Sequence, residues 1–255
     1  MDSRDDILMD YFCFSDIHGH GELFDKILSW LNGRTEPWKC VFLGDACDRR
    51  DDGYRIIETL LNDDRFIYLK GNHEDMFVRA AKAFRTYMKM ERLTSEEVAA
   101  NPYEHIMNCH YNWDVSLYIQ NSGLKTLMDW VADGASMNII EKLNTLPLHM
   151  EFPNEVWGKL DLSHAGHPND DLSESALLWS REHFQEDFKG GRMIHGHTPV
   201  RYLMKYVLLD NGHTSRPAFY ANGTKVDIDT ACFSSDTITL LNLNTFEQHR
   251  FTTII

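Results

Sequence analysis

Two different periods of apolar and polar residues alternate along the first 75 positions. Tyr11 to Phe14, Cys40 to Leu43 and Phe66 to Leu69 are apolar runs of strand length. Between them Leu23, Phe24, Ile27, Leu28 and Leu31, then Ile56, Ile57, Leu60 and Leu61, fall at helical spacing. Strand, helix, strand, helix, strand at this pitch predicts a mostly parallel sheet with helices on its faces. From Asp75 to about Met150 the texture turns helical: only Pro102 and Pro147 interrupt it, and seven of the 11 methionines fall here. The expectation is a mostly helical insertion over about 75–147, its methionines packed between helices. Beyond it, Leu148 to Phe152 and Val156 to Ser163 predict a hairpin, Ser175 to Phe184 a helix, and Ile238 to Leu243 a late strand. The fold class expected is α/β (α+β).

The residues just past each strand carry more information than the strand itself. Ser15-Asp16-Ile17-His18-Gly19 closes the first, Gly44-Asp45-Ala46-Cys47-Asp48-Arg49 the second, and Gly71-Asn72-His73-Glu74 the third. Ser163-His164-Ala165-Gly166 and His195-Gly196-His197-Thr198 close later strand-like runs. Ligand sites of open α/β sheets lie at the carboxyl ends of strands, so these clusters are expected to converge on one edge. Each cluster alone reads better as a turn or a capping residue. Together they offer Asp16, His18, Asp45, Asn72, His164 and His197, a mixed carboxylate, imidazole and amide-oxygen set suited to manganese, iron or zinc. Six donors with one bridging carboxylate would saturate a single ion, but can hold a pair about 3.5 to 4 Å apart with positions left open.

Composition narrows the partners. Lys and Arg number 25 against 39 Asp and Glu, a net charge of −14, and no basic run of five to eight residues offsets it. Nucleic acid polymers and anionic membranes are therefore not expected partners. The five cysteines, Cys13, Cys40, Cys47, Cys109 and Cys232, are scattered with no C-x-x-C spacing, which fits a reducing, cytoplasmic setting. The acidic start (Asp2, Asp5, Asp6, Asp10) is not a signal peptide, and no apolar run is long enough to span a bilayer. Asn222-Gly-Thr224 matches a glycosylation acceptor, a three-residue coincidence in such a chain. A chain of 255 residues needs no structural metal or disulfide to fold, so stability does not account for the metal-type donors.

The order D-x-H-G, G-D-x-x-D-R, G-N-H-E, H-A-G and G-H-T resembles the calcineurin-like metallophosphoesterases, in their phosphoprotein phosphatase branch. Trp179-Ser180-Arg181-Glu182, Leu146-Pro147-Leu148 and Gly196-His197-Thr198-Pro199-Val200 are similar to the bacteriophage lambda type of protein phosphatase and its bacterial relatives. The likeness runs from Tyr11 to about Leu243, with nothing matched from Arg79 to about Tyr111. It implies a two-sheet sandwich flanked by helices, one domain over 1–255 with the helical insertion inside it, and two divalent metal ions, manganese foremost, iron or zinc as alternatives. One metal would be held by Asp16, His18 and Asp45, the second by Asp45, Asn72, His164 and His197. Asp45 would bridge. His197, between Gly and Thr, matches the family ligand, which leaves His195 a structural or supporting role and makes His20 and His167 loop histidines.

The remaining motif residues have physical readings that agree. Asp48 can accept a hydrogen bond from His73 and raise its proton affinity, so that His73 protonates the leaving oxygen. Arg49 and Arg181, with Asn72, would hold phosphoryl oxygens during in-line attack by metal-bound hydroxide. One departure is Arg50 where the family usually has glycine; a positive φ there would strain an arginine and shift Arg49. Ser15 in place of the common glycine before Asp16 is a milder one.

The expected activity is hydrolysis of phosphoserine or phosphothreonine in proteins, with small phosphoesters as proxies. The alternative is a dinucleoside-polyphosphate (diadenosine tetraphosphate) hydrolase, against which the Glu of Gly-Asn-His-Glu weighs slightly. A non-catalytic scaffold would be expected to have lost donors that this chain keeps. A nuclease conflicts with the charge and with the D-R motif.

Overall fold

The computed structural model describes residues 9–209 and 216–253, so Asp2, Asp5 and Asp6 lie outside the described residues. Alternation within the strands decides the layering. In β1 (Asp10–Phe14), β2 (Trp38–Phe42) and β3 (Phe66–Tyr68), Phe12, Phe14, Cys40, Phe42, Phe66 and Tyr68 face one way. They pack against α1 (Gly21–Asn32) and α2 (Gly53–Asn62). Cys13, Val41, Leu43 and Leu69 face the other way, into a second apolar layer. Both pairings are parallel, with Cys13 opposite Val41 and Val41 opposite Ile67.

Six helices come next: α3 (Asn72–Glu91), α4 (Ser95–Ala100), α5 (Pro102–Asn108), α6 (Trp113–Gln120), α7 (Leu124–Ala132) and α8 (Met137–Asn144). Their apolar faces, among them Phe77, Phe84, Tyr118 and Trp130, extend the core on the helical side of the first sheet. Helix α3 begins at Asn72, immediately after the Gly71 turn. The motif therefore sits on the first turn of the helix rather than in a loop before it.

The predicted hairpin forms as β4 (His149–Asn154) and β5 (Gly158–Ser163). It joins β6 (Arg192–His195), β7 (Ala218–Tyr220) and β8 (Lys225–Asp227) in a second sheet of order β4-β5-β6-β8-β7. The first sheet is completed by β9 (Thr237–Asn242) and β10 (Gln248–Thr252), giving β10-β9-β1-β2-β3. Leu160, Leu162, Ile194 and Val226 meet Cys13, Val41, Leu43 and Leu241 between the two sheets. Removing one large side chain from such a layer costs about 2–5 kcal/mol. Phe184, with Val200 and Leu203 of α10 (Val200–Leu203), covers the outside of the second sheet.

The helix predicted over Ser175 to Phe184 is a correction. Helix α9 runs only from Glu174 to Trp179, capped by the Ser173 side chain on Ala176 N–H, and extended backbone at Ser180 ends it. A separate 3-10 turn then spans Glu182–Gln185. Strands β7, β8 and β10 had no counterpart in the pattern: β7 and β8 are three residues long each, and β10 is an edge strand of alternating burial, Gln-His-Arg-Phe-Thr, with little apolar content.

Candidate functional site

Parallel β1, β2 and β3 end on the same edge, and β5 and β6 of the facing sheet end beside them. The turns leaving these strands pack backbone against backbone. Gly44 has φ of +97°, and a Cβ there would overlap Gly71, which is why a glycine ends β2. Gly196 allows the β6 turn to lie directly on Ser15 and Asp16, closing the gap between the sheets. Several chemistry-bearing residues themselves hold positive φ: Asp16 at 53°, His18 at 45°, Asp45 at 64°, Asp48 at 73°, Arg49 at 67° and His197 at 67°.

Asp16, His18, Asp45, Asn72, His164 and His197 are thereby brought together, and all but the half-buried His197 are buried. His18 Nε2 lies 3.5 Å from Asp45 Oδ2 and 4.0 Å from Asp16 Oδ1, and His164 Nε2 lies 3.4 Å from Asp45 Oδ1. Asp45 thus stands between the two histidines. Asn72 Oδ1 is 2.8 Å from His164 Nε2 and 2.9 Å from His197 Nδ1.

The partners fix the tautomers. His18 Nδ1 faces the Cys47 carbonyl at 3.0 Å and His164 Nδ1 the Leu43 carbonyl at 2.9 Å. A carbonyl only accepts, so both Nδ1 atoms carry hydrogen, and in the neutral rings both Nε2 lone pairs point inward. Burial holds the His18 and His164 imidazoles below their ordinary pKa, and the neutral form is the one that ligates. His164 Nε2 then faces Asn72 Oδ1 acceptor to acceptor, and His197 Nε2 is buried with no hydrogen-bond partner. Two acceptors at 2.8 Å repel unless a cation lies against both. The donor set fits metal.

The carboxylates divide. Burial, then Asp229 and Asp45, push the Asp16 carboxyl well above the usual range, although His197 N–H and the Ser15 hydroxyl donate to it. Burial would also raise Asp45, but His164, His73 and His18 around it and the His73 N–H at 3.0 Å hold it below the usual range. Crowded buried carboxylates with few cations of their own are what a bound dication relieves.

Beside them His73 Nδ1 lies 2.7 Å from Asp48 Oδ2, both side chains buried. Its Nε2 faces the cluster, 3.8 Å from Asp45 Oδ2 and 3.5 Å from Arg49 Nη2. Burial alone would lower the His73 pKa, but Asp45 and Asp48 outweigh it and raise it. A histidine held protonated by a buried carboxylate, with its free nitrogen toward the centre, is placed to give a proton.

Arg49 is exposed and lays its guanidinium 4.3 Å over the Phe233 ring, not on Asp51 or Asp52. Arg181 is exposed in the break after α9, not on a helix, and its charge is felt at His164 and His197. The anticipated strain at Arg50 is corrected. Its φ is not positive; the positive values fall on Asp48 and Arg49. Arg50 turns away to the Phe233 carbonyl, 3.1 and 2.9 Å, and to Asp236 Oδ1 at 2.5 Å, tying the loop to α11 (Cys232–Ser235).

His195 is buried outside the cluster, 2.6 Å from the Tyr220 hydroxyl. His20, also buried, lies 3.1 Å from Asp236, and His167 is buried against Asp161 rather than free in its loop. Three supporting residues were not singled out by the sequence pattern. Glu74 accepts N–H groups of Asp45, Ala46 and Gly71 and the Tyr68 hydroxyl, which stitches the β2 and β3 turns together. Tyr118 donates to Asp48 Oδ1, and Thr126 Oγ1 accepts Asp48 N–H at 3.2 Å. Only Glu74 had a signal, as the last residue of Gly-Asn-His-Glu.

Buried imidazole and carboxylate donors beside the Asp48–His73 pair, at the shared edge of two sheets, are the setting of a metal-dependent hydrolase. The chain belongs to the calcineurin-like phosphoesterase family, whose model matches residues 9–210, and is a metal-dependent phosphoesterase. It is 24% identical over 218 residues to serine/threonine-protein phosphatase 2 of Escherichia coli K12, covering 80% of this chain and 83% of that protein. Its fold is similar to that of a candidate diadenosine tetraphosphatase, with a TM-score of 0.56 and 12% identity over 96% of this chain and 94% of that one. It is also similar to a cold-active protein-tyrosine phosphatase of a psychrophilic Shewanella, with a TM-score of 0.52 and 13% identity over 95% and 77%. At these identities the two structures share the fold alone. No helix among the described residues is long and apolar enough to cross a membrane.

Proposed function

We propose that the protein hydrolyses phosphomonoesters, phosphoserine and phosphothreonine in proteins foremost, at a centre of two divalent ions, manganese first among them. The observation that carries this reading is the Asp48–His73 pair, with His73 Nε2 turned toward the carboxylate cluster and beside Arg49. Asp16, His18 and Asp45 would hold one ion, and Asp45, Asn72, His164 and His197 the other. When bound, the ions supply Lewis-acid charge to phosphoryl oxygens and make water acidic enough to attack near neutral pH.

The chain's own groups supply the rest. Asp48 keeps His73 oriented and protonated, and His73 Nε2–H gives its proton to the departing serine or threonine oxygen, a poor leaving group without one. Arg49 and Arg181, both exposed at the rim, bind the phosphoryl oxygens and balance their charge in the transition state. The Asn72 side-chain NH2, distinct from the Oδ1 that faces His164 and His197, can donate to the same group.

Two aromatic rings stand beside the centre. Phe233, 5.8 Å from the His18 ring, is covered by Arg49, so a base would have to displace Arg49 to stack there. Trp179, 6.0 Å from the His197 ring, is exposed and uncovered, which keeps a dinucleotide as the alternative substrate. Steady-state hydrolysis with manganese, comparing a phosphothreonine peptide with diadenosine tetraphosphate and using Asp45→Asn as control, tests the reading. The expected result is a higher kcat/KM on the peptide. A preference for the dinucleotide would reassign the substrate class.

A further inference from the structure

On the second sheet, separate from the centre described above, two imidazoles converge on one buried carboxylate. Asp161 of β5 has Oδ2 at 3.1 Å from His149 Nε2 and Oδ1 at 3.0 Å from His167 Nε2. One donor atom from each residue lies within 4.8 Å of the other two. The β4–β5 register, Glu151 opposite Asp161 and His149 opposite Ser163, puts His149 and Asp161 diagonally on one face. His167 returns to that face from the loop after His164.

One imidazole is hydrogen-bonded to the carboxylate and the other is not: His167 Nε2 meets Asp161 Oδ1 at 3.0 Å. His167 Nδ1 is 2.8 Å from the Pro168 carbonyl, so it carries hydrogen, and Nε2 is the nitrogen left for a metal once the ring is neutral. His149 Nε2 is buried without a hydrogen-bond partner although Asp161 is 3.1 Å away, because the oxygen lies off the nitrogen's donor direction. A buried carboxylate flanked by two Nε2 atoms, one of them without a hydrogen bond, is an arrangement that a shared ion would complete by replacing the His167–Asp161 hydrogen bond. Bonds of about 2.0–2.2 Å to a tetrahedral ion set neighbouring donor atoms roughly 3.3 Å apart, close to the spacing observed. Two cations lie near: Lys159, 4.0 Å from Asp161 Oδ2, is already engaged by Glu151, and Lys225, whose charge is felt at His167, donates to the His183 carbonyl.

We propose that His149, Asp161 and His167 form a second, independent site for one divalent cation, zinc foremost. Two imidazoles and a carboxylate are a zinc donor set. The ion would clasp the edge strand β4, strand β5 and the loop leaving His164, a structural role away from the reacting phosphate. Burial lowers the His167 pKa, but Asp161 and the Pro168 carbonyl outweigh it and raise it, so a proton competes with the ion for the same nitrogen.

The test is equilibrium dialysis of the full chain against zinc, with metal counted per chain, for wild type and His149→Gln, each also in an Asp45→Asn background. The expected result is that His149→Gln binds about one zinc fewer in both backgrounds and keeps kcat on an aryl phosphate within about twofold of wild type. An equal zinc count with and without His149 overturns the site. Loss of hydrolysis together with that zinc overturns its independence. Should His149→Gln fail to fold, His167→Asn carries the same comparison.

Discussion

Tyr118 and Asp48 are 70 residues apart in sequence, yet the Tyr118 hydroxyl donates to Asp48 Oδ1 while the other oxygen of that carboxylate engages His73. The helical segment between β3 and β4 therefore holds the acid dyad from behind. Ser122 O and Thr126 Oγ1 from the same segment accept Arg49 N–H and Asp48 N–H.

Tyr118→Phe is expected to cost about 1–3 kcal/mol of stability, because a buried carboxylate oxygen loses its donor. Turnover on alkyl phosphates should fall by up to about tenfold and on a nitrophenyl phosphate less. Denaturant titration and a leaving-group series measure both. Equal losses across the series would make the tyrosine purely structural.

His73→Asn should lower kcat on phosphothreonine by about 10²–10⁴ and leave nitrophenyl phosphate far less affected, since nitrophenolate departs without a proton. Identical losses on both substrates would count against proton donation.

Chelation should destabilise the chain. Ions that bind only the folded state add about 2.7 kcal/mol at a hundredfold excess over Kd, and the facing acceptors His164 Nε2 and Asn72 Oδ1 are left opposed without them. A drop in Tm with chelator, reversed by manganese and missing in Asp45→Asn, is the expected calorimetric result. An unchanged Tm in wild type would contradict it.

Arg50→Gly should lower Tm slightly instead of raising it. The position carries no positive φ to relieve, and the substitution removes the ties to Phe233 O and Asp236. Both partners of the ion pair are about a third exposed, so the loss should be about 1 kcal/mol or less. A stabilised variant would show that the loop is strained after all.

Acid should unfold the protein partly through His183. Burial, then His195 and Lys225, push its pKa down to about 2, while the unfolded residue titrates near the ordinary value of about 6.5. Below that value the unfolded chain binds the extra proton, so this contribution is intact above about pH 6.5 and is lost as pH falls toward 2, by about 1.4 kcal/mol per unit. His183→Gln, which keeps a donor for the Ala165 carbonyl, should flatten the stability profile between pH 6.5 and 5. An unchanged slope would mean that His183 is protonated in the fold.

The parallel strands and the turns after them were legible because each strand announces itself by an apolar run and each turn by glycine beside a charged or imidazole residue. The two-sheet sandwich was readable through the resemblance, not through the pattern, and the strand order was not read at all: β7 and β8 are short and β10 is mostly polar. The break at Ser180 was hidden because Ser175 to Phe184 has helical spacing throughout, and only the extended backbone of Ser180 separates α9 from the 3-10 turn beyond it. Tyr118 was unreadable for a different reason. It sits on a helix as an ordinary buried aromatic stacked on Phe77, and nothing local marks its hydroxyl as bound to a residue 70 positions earlier.

The positive φ values of Asp16, His18, Asp45, Asp48, Arg49 and His197 bear on how the centre should be dissected. Alanine at such a position removes the donor but keeps the Cβ that the native residue already carries in the left-handed region, so that cost, about 1 kcal/mol, largely cancels and the alanine variant reports the lost side chain. Glycine removes the same donor and also relieves the backbone, against a freer unfolded chain. At these six positions the difference between the glycine and alanine variants weighs how firmly the surrounding turns hold the chain in place.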